Sequence, residues 1–214
     1  MRGGVSQPHA FFNAVLLPDG NVLVTNGSST GKADAGTNPV LEAELYDVEA
    51  GVWTTLCPMK IPRLYHSIAL LLPDGKVLTA GEDSAWHSDS FTEAKLDIEI
   101  FSPPYLFRSD QPIVRDAPTE LTYRAKFEVS WRGDVPIKSA ALLSPGSVTH
   151  SFNSHQRYVG LSILSSRSGV LTLRAPRNEN VAPPGHYMLF LVDELGVPSH
   201  ARFLRLARPL RATK

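Results

Sequence analysis

Hydrophobic and polar positions alternate in short runs along the whole chain, and turn-forming residues interrupt them at close intervals. Leu16-Leu17-Pro18-Asp19-Gly20-Asn21-Val22-Leu23 places an apolar run on each side of Pro-Asp-Gly, where Pro presets the φ of the turn and Gly accepts the left-handed position. A hairpin is predicted there. The pattern returns as Leu71-Leu72-Pro73-Asp74-Gly75-Lys76-Val77-Leu78 at a spacing of 55 residues, self-similarity on the scale of one supersecondary unit. Each copy is followed by a polar stretch and an alternating run, residues 40–46 in the first and 94–101 in the second. Between them Gly51-Val52-Trp53-Thr54-Thr55-Leu56 reads as an outer strand on which Trp53 is structural. Four short strands per copy is the arithmetic of a propeller blade.

After the second copy the pattern changes at Ser102-Pro103-Pro104-Tyr105-Leu106, because consecutive prolines cannot join a sheet ladder. The boundary is therefore placed between 104 and 105, giving domains over residues 1–104 and 105–214. Beyond it about seven short strands are predicted, at 113–115, 126–131, 139–143, 149–153 continuing through 158–164, 170–174, 187–192 and 201–206. Lys126-Phe127-Glu128-Val129-Ser130-Trp131 alternates as a strand with one dry and one wet face should. No helical period is sustained, so an immunoglobulin-like sandwich is expected.

Composition narrows the partners. With 43% apolar and 20% charged residues the chain can bury a core. Its 21 basic and 21 acidic side chains leave no net field to draw in nucleic acid, which is excluded as a partner. No apolar run approaches the roughly 20 residues of a membrane-spanning helix, and Met1-Arg2-Gly3-Gly4 opens no signal-peptide pattern. The single cysteine, Cys57, rules out an internal disulfide and any cysteine-based metal cluster, and is read as a small buried hydrophobe.

Chemistry is sought among the seven histidines, His9, His66, His87, His150, His155, His186 and His200. His66 directly follows Tyr65 at the mouth of the second copy, where inner strands of a propeller converge on a central channel. Neighbours in a regular strand point to opposite faces, so both side chains can reach one ion only where the pleat is broken. His150 lies in Pro145-Gly146-Ser147-Val148-Thr149-His150-Ser151-Phe152-Asn153, whose Pro-Gly lets a hairpin project. One phenol and two imidazoles suit copper or ferric iron better than magnesium or calcium. A phenol is anionic near neutral pH only beside a cation that stabilises that form. The opposing reading is that Tyr65 and His66 cap the blade while His150 packs between domains. The acidic pairs Glu42 with Glu44 and Asp97 with Glu99 are read as solvated strand faces. No nucleotide loop or serine elbow is present.

Four separated motifs carry a resemblance. Arg63-Leu64-Tyr65-His66-Ser67 running into Leu72-Pro73-Asp74-Gly75, Phe101-Ser102-Pro103-Pro104-Tyr105-Leu106, Thr149-His150-Ser151-Phe152-Asn153 with Gln156-Arg157, and Pro183-Pro184-Gly185-His186-Tyr187 with Gly196-Val197-Pro198-Ser199 occur in this order. Together they resemble the C-terminal half of the galactose oxidase and glyoxal oxidase family of copper-radical oxidases, with Ser-Pro-Pro-Tyr-Leu closer to the glyoxal oxidase branch. The resemblance implies an all-β chain, about two blades of a Kelch-type propeller followed by an early-set sandwich, with one sandwich hairpin delivering a histidine to the propeller channel.

It further implies one copper ion held by Tyr65, His66 and His150, with Tyr65 as the catalytic proton acceptor. A primary alcohol, an aldehyde or a carbohydrate would be the substrate, with dioxygen reduced to hydrogen peroxide, and the protein would be extracellular. The family's second redox centre is a tyrosyl radical cross-linked to a cysteine. No residue here corresponds to it, and Cys57 stands in the wrong motif. The expectation is therefore a fragment, a truncated gene product or a chain completed by a partner, inactive alone because the upstream blades, from the same gene or another chain, are missing. Phe12 stands where relatives often carry a polar residue, making that part of the channel more apolar. The rival is a non-catalytic propeller-and-sandwich module that binds a glycan or a protein.

Overall fold

The computed structural model describes residues 5, 8–31, 38–81 and 96–208. Among them regular structure is strand, apart from one short 3-10 helix at Pro104–Phe107, so the chain is all-β. His87 and the first two residues of the alternating run predicted at 94–101 lie outside the described residues. The chain divides into two compact units, the first comprising Met1–Leu72, Lys76–Ser102 and Gly146–Gln156, the second Pro73–Gly75, Pro103–Pro145 and Arg157–Lys214.

The first unit contains two antiparallel meanders. β1 (Asn13–Leu16), β2 (Val22–Thr25), β3 (Glu42–Asp47) and β4 (Val52–Pro58) lie side by side in chain order. β5 (Ile68–Leu71), β6 (Val77–Ala80) and β7 (Ile98–Phe101) repeat the first three positions. Both Pro-Asp-Gly turns form as the pattern predicts, with Gly20 at φ +90° and Gly75 at φ +82°. Positive φ recurs at the same spacing elsewhere, at Phe11 (+60°) and His66 (+63°) and at Asn26 (+67°) and Gly81 (+75°). The repeat thus extends to backbone conformation at positions where the residues differ.

Each copy also buries a basic side chain against a glutamate of its third strand. Arg63, 1% exposed, donates to the carbonyls of Gly81 and, at 2.8 Å, Asp97, and its Nε lies 3.6 Å from the Glu99 carboxylate. Glu99 accepts in addition from the backbone N–H groups of Lys60 at 2.8 Å and Ile61 at 3.2 Å. In the first copy His9 takes the place of the arginine, with Nε2 2.9 Å from the Glu44 carboxylate and Nδ1 3.3 Å from the Asn26 carbonyl. Glu44 and Glu99 are therefore not solvated. The alternation of β3 and β7 assigns each side chain to a face, but only the fold brings a distant basic partner to that face. Cys57 is exposed rather than buried, because it lies on β4, the end strand of its sheet. Trp53 on the same strand is packed 5.0 Å from the Tyr46 ring, consistent with a structural role.

The second unit is a β-sandwich built from β8 (Ile113–Asp116), β9 (Glu120–Thr122), β10 (Lys126–Arg132), β11 (Ile137–Ser144), β14 (Arg157–Arg167), β15 (Val170–Arg174), β16 (Gly185–Asp193) and β17 (Arg202–Ala207). Residues 157–161 of the long β14 pair with β11 and residues 162–167 with β15, so one strand passes between layers. A single core with Val129, Leu142, Leu171, Leu189 and Leu204 fills the space between them. β9 was not expected from the pattern and pairs in parallel with β17. β12 (Val148–Thr149) and β13 (Phe152–Asn153) fall between β11 and β14 in sequence but belong to the first unit.

Two tyrosines, Tyr123 after β9 and Tyr187 within β16, bond to the turn before β16. Tyr123 donates to the Ala182 carbonyl and Tyr187 to the Pro183 carbonyl, each at 2.7 Å. Burial pushes both phenol pKa values above the ordinary 10.0. A group whose folded pKa is raised stabilises the fold below its unfolded pKa and loses that contribution as pH climbs through the folded value. The contribution of these two phenols to urea stability should therefore stay level up to about pH 10 and fall beyond it, and Tyr187→Phe should flatten part of that fall. Urea titrations on both sides of this pH check the expectation.

Candidate metal centre

Tyr65 and His66 occupy the middle of a tight turn that closes with Ser67 N–H donating to the Leu64 carbonyl at 3.2 Å. His66 sits at φ +63°, at the third position of the turn, where glycine or asparagine is ordinarily favoured. The pleat is broken at this point, immediately before β5, which lets adjacent side chains share a face. Their rings stack at 3.9 Å with 26° between planes. The turn is anchored on both sides, by buried Arg63 before it and by Asn13 after it. The Asn13 amide donates to the Ser67 hydroxyl at 3.0 Å and the Ser67 carbonyl at 3.3 Å.

His150 comes from a different kind of turn. The continuous strand expected over 149–153 is instead a hairpin, with Val148 opposite Asn153 and Thr149 opposite Phe152. Its two-residue loop is His150 at φ +53° and Ser151 at φ +61°, the positive pair that a type I′ turn requires. Side chains at such a loop leave the strand direction, and the His150 ring lies 4.6 Å from His66 at 86° and 5.7 Å from Tyr65 at 74°. Residues 84 positions apart in sequence thus meet in one cluster within the first unit. Non-glycine residues avoid left-handed backbone at a cost of about 1–2 kcal/mol, and both histidines of the cluster adopt it. Strain of this kind is concentrated at functional sites.

The donor set fits a transition metal. Two imidazoles bound to one cation through bonds of about 2 Å keep their ring centres a few ångströms apart, as these do. Thr149 Oγ1 lies 2.6 Å from His150 Nδ1; with Nδ1–H donating, the lone pair resides on Nε2, the arrangement a metal-binding imidazole needs. Among the described residues no group of three or more His, Cys, Asp or Glu side chains is placed to hold a metal; the third polar side chain of this cluster is the Tyr65 phenol. The Phe11 ring meets Tyr65 edge-on at 5.4 Å and forms an apolar wall beside it. Phe12 is 38% exposed. His155, His186 and His200 are exposed, and His9 is committed to Glu44.

Sequence reasoning singled out the three candidate donors but not the residues that brace them, Asn13 and Thr149. Their spacing to the donors carried no visible pattern. The Pro145-Gly146 pair was the one signal for the hairpin, and the absence of a side chain at Gly146 suits a close approach. A Cβ there would lie 2.8 Å from Leu70 Cδ2 and 2.7 Å from Asn153 Nδ2.

Comparison with known proteins finds relatives that match across both units. The family model for the glyoxal oxidase N-terminus matches residues 6–105 and that for the galactose oxidase-like early-set domain matches residues 111–206. A galactose oxidase of Gibberella zeae is 32% identical over 96% of this chain and 30% of its own length. An aldehyde oxidase GLOX of Vitis pseudoreticulata is 35% identical over 90% of this chain and 40% of its own length. The chain thus spans between 30% and 40% of the length of these relatives. A solved structure of a fungal alcohol oxidase in complex with copper superposes with a TM-score of 0.87 at 30% identity, over 96% of this chain and 44% of that one. With the two family models in succession and the same relatives matched across both, the chain belongs to the galactose oxidase and glyoxal oxidase family.

Proposed function

We propose that the chain supplies the copper-binding portion of a copper-radical oxidase, with Tyr65, His66 and His150 as ligands. The observation that carries this reading is the meeting of the three rings, delivered by two turns that each place a histidine in left-handed backbone. Copper, when bound, supplies a one-electron acceptor and a Lewis acid for the substrate oxygen. Tyr65 acts as the base, its phenolate oxygen taking the hydroxyl proton of a primary alcohol or hydrated aldehyde. Phe11 limits water on one side of the phenol.

The overall change is RCH2OH + O2 → RCHO + H2O2, which moves two electrons and two protons. One metal ion that cycles between adjacent oxidation states accounts for one electron, so a second one-electron centre is required. Cys57 is exposed on β4 and is not assigned to it. The second centre is supplied by further propeller blades of the Kelch type, and the substrate pocket is completed by the same blades. The chain tested alone should therefore bind copper without turning over. An extracellular location is our inference from the family relationship alone; separately, among the described residues no helix is long and apolar enough to cross a membrane.

The test combines copper titration with a peroxide assay on a primary alcohol, galactose and a small aldehyde. Stoichiometric copper binding without peroxide release is expected. Sustained peroxide release from the chain alone would refute the need for a second centre, and failure to bind copper would refute the site.

A further inference from the structure

Outside the three donors, the feature with the most specific geometry is the foot of the hairpin that presents His150. β1 is an end strand of its sheet, and among the described strands none is hydrogen-bonded to its outer edge. On that edge the Gln156 side chain takes the place of a strand. Its Nε2 donates to the Ala14 carbonyl at 2.9 Å, and its Oε1 accepts from the Leu16 N–H at 3.0 Å. The carbonyl of one residue and the N–H two residues on are the pair a neighbouring strand would engage. One primary amide satisfies both, across 140 residues of sequence or more.

We infer that Gln156 is a positioning residue for His150, docking the hairpin on β1 so that the imidazole reaches Tyr65 and His66. From Gln156 the connection to the tip is short and internally braced. Asn153 Oδ1 accepts from the backbone N–H groups of Ser147 at 2.9 Å and Gln156 at 3.2 Å, and Ser154 N–H donates to the Ser147 carbonyl at 3.1 Å. On the opposite flank Gly146 lies against Leu70 of β5, where a larger residue would have to push the Leu70 and Asn153 side-chain ends aside. The hairpin is thus seated between β1 and β5, and the amide is the contact that sets its height along β1. A glutamate of equal length would keep the Leu16 bond but turn a carboxylate oxygen toward the Ala14 carbonyl. The same dock in an apolar residue would leave two β1 groups without a partner.

The catalytic meaning of this dock rests on the proposed metal centre, but its geometry is testable without metal. In the metal-free 214-residue chain, ring-proton NOEs between His150 and Tyr65 should be present and should vanish in Gln156→Ala and weaken in Gln156→Glu. In copper titrations Gln156→Ala should lower affinity about 10–100-fold, the range for losing an outer support of a ligand. In a His150→Ala background the same substitution should change copper affinity by less than about twofold, as expected for residues acting through one another. A merely structural glutamine would lower thermal stability while leaving the NOEs, the affinity and the spectrum as they were, which would overturn the inference. An equal affinity loss in the His150→Ala background would also overturn it. If the NOE changes appear but the parent chain binds no copper, the dock stands and the metal centre falls.

Discussion

His66→Ala and His150→Ala are each expected to weaken copper binding by more than about a hundredfold, since removal of even an outer support of a metal ligand costs 10–100-fold. The copper EPR spectrum should show coupling to two imidazole nitrogens in the parent chain and to one in either variant. Tyr65→Phe keeps the stack on His66 but removes the phenol oxygen, so nitrogen coupling should persist while any phenolate-to-copper charge-transfer band disappears. Because both histidines stand at positive φ, alanine is strained there as well. His66→Asn and His150→Asn are the better-folded controls, because asparagine tolerates left-handed backbone. A loss of copper binding in the asparagine variants, with an unfolding transition at or above that of the parent, separates ligand removal from unfolding. Parent-like spectra in all four histidine variants would sink the assignment.

The second large effect is expected at Arg63. Its guanidinium is buried, binds two backbone carbonyls and faces the Glu99 carboxylate. Removing one member of a buried pair is destabilising by about 3–5 kcal/mol, chiefly because its partners stay buried without compensation. In Arg63→Ala the carbonyls of Gly81 and Asp97 lose their donor, whereas Glu99 retains the N–H groups of Lys60 and Ile61. The loss should therefore lie toward the lower end of that range. Urea unfolding should show an earlier midpoint with an unchanged slope for the transition of the first unit. Arg63 directly precedes the turn that bears Tyr65 and His66, so copper affinity should fall along with stability. Glu99→Gln, which keeps a carbonyl oxygen for Lys60 and Ile61, should cost less.

Much of this was legible in the chain itself because local rules and tertiary structure agree. Pro18-Asp19-Gly20 and Pro73-Asp74-Gly75 encode their own turns, and the strands on either side follow from alternation. The strands of the sandwich from 126 onward were placed to within a few residues for the same reason. Where the outcome departs from the pattern, a distant contact decides. His150-Ser151 is not a turn signature, and its left-handed pair is imposed by how the hairpin is seated, so residues 149–153 read as one strand but fold back as a hairpin. Glu44 looked solvated because nothing near it in sequence announces His9 as its buried partner. Cys57 looked buried because free cysteines usually are, yet it falls on an end strand. β9 is three residues long, too short for an alternation to register, and owes its conformation to β17.

The candidate donors were legible from residue type, whereas their convergence was not. Tyr65 and His66 can share an ion only because the turn at Leu64 and Ser67 breaks the pleat, a possibility adjacent residues suggest but do not enforce. The approach of His150 depends on Gly146 and Gln156, whose partners Leu70, Ala14 and Leu16 sequence distance conceals, and on Asn153, which braces the hairpin locally.

X-ray absorption on the copper-loaded chain tests the central claim most directly. Two nitrogen scatterers with the outer-shell signature of imidazole, and one oxygen that is lost in Tyr65→Phe, are predicted. A copper environment of oxygen scatterers alone, unaltered by His66→Asn or His150→Asn, would contradict it.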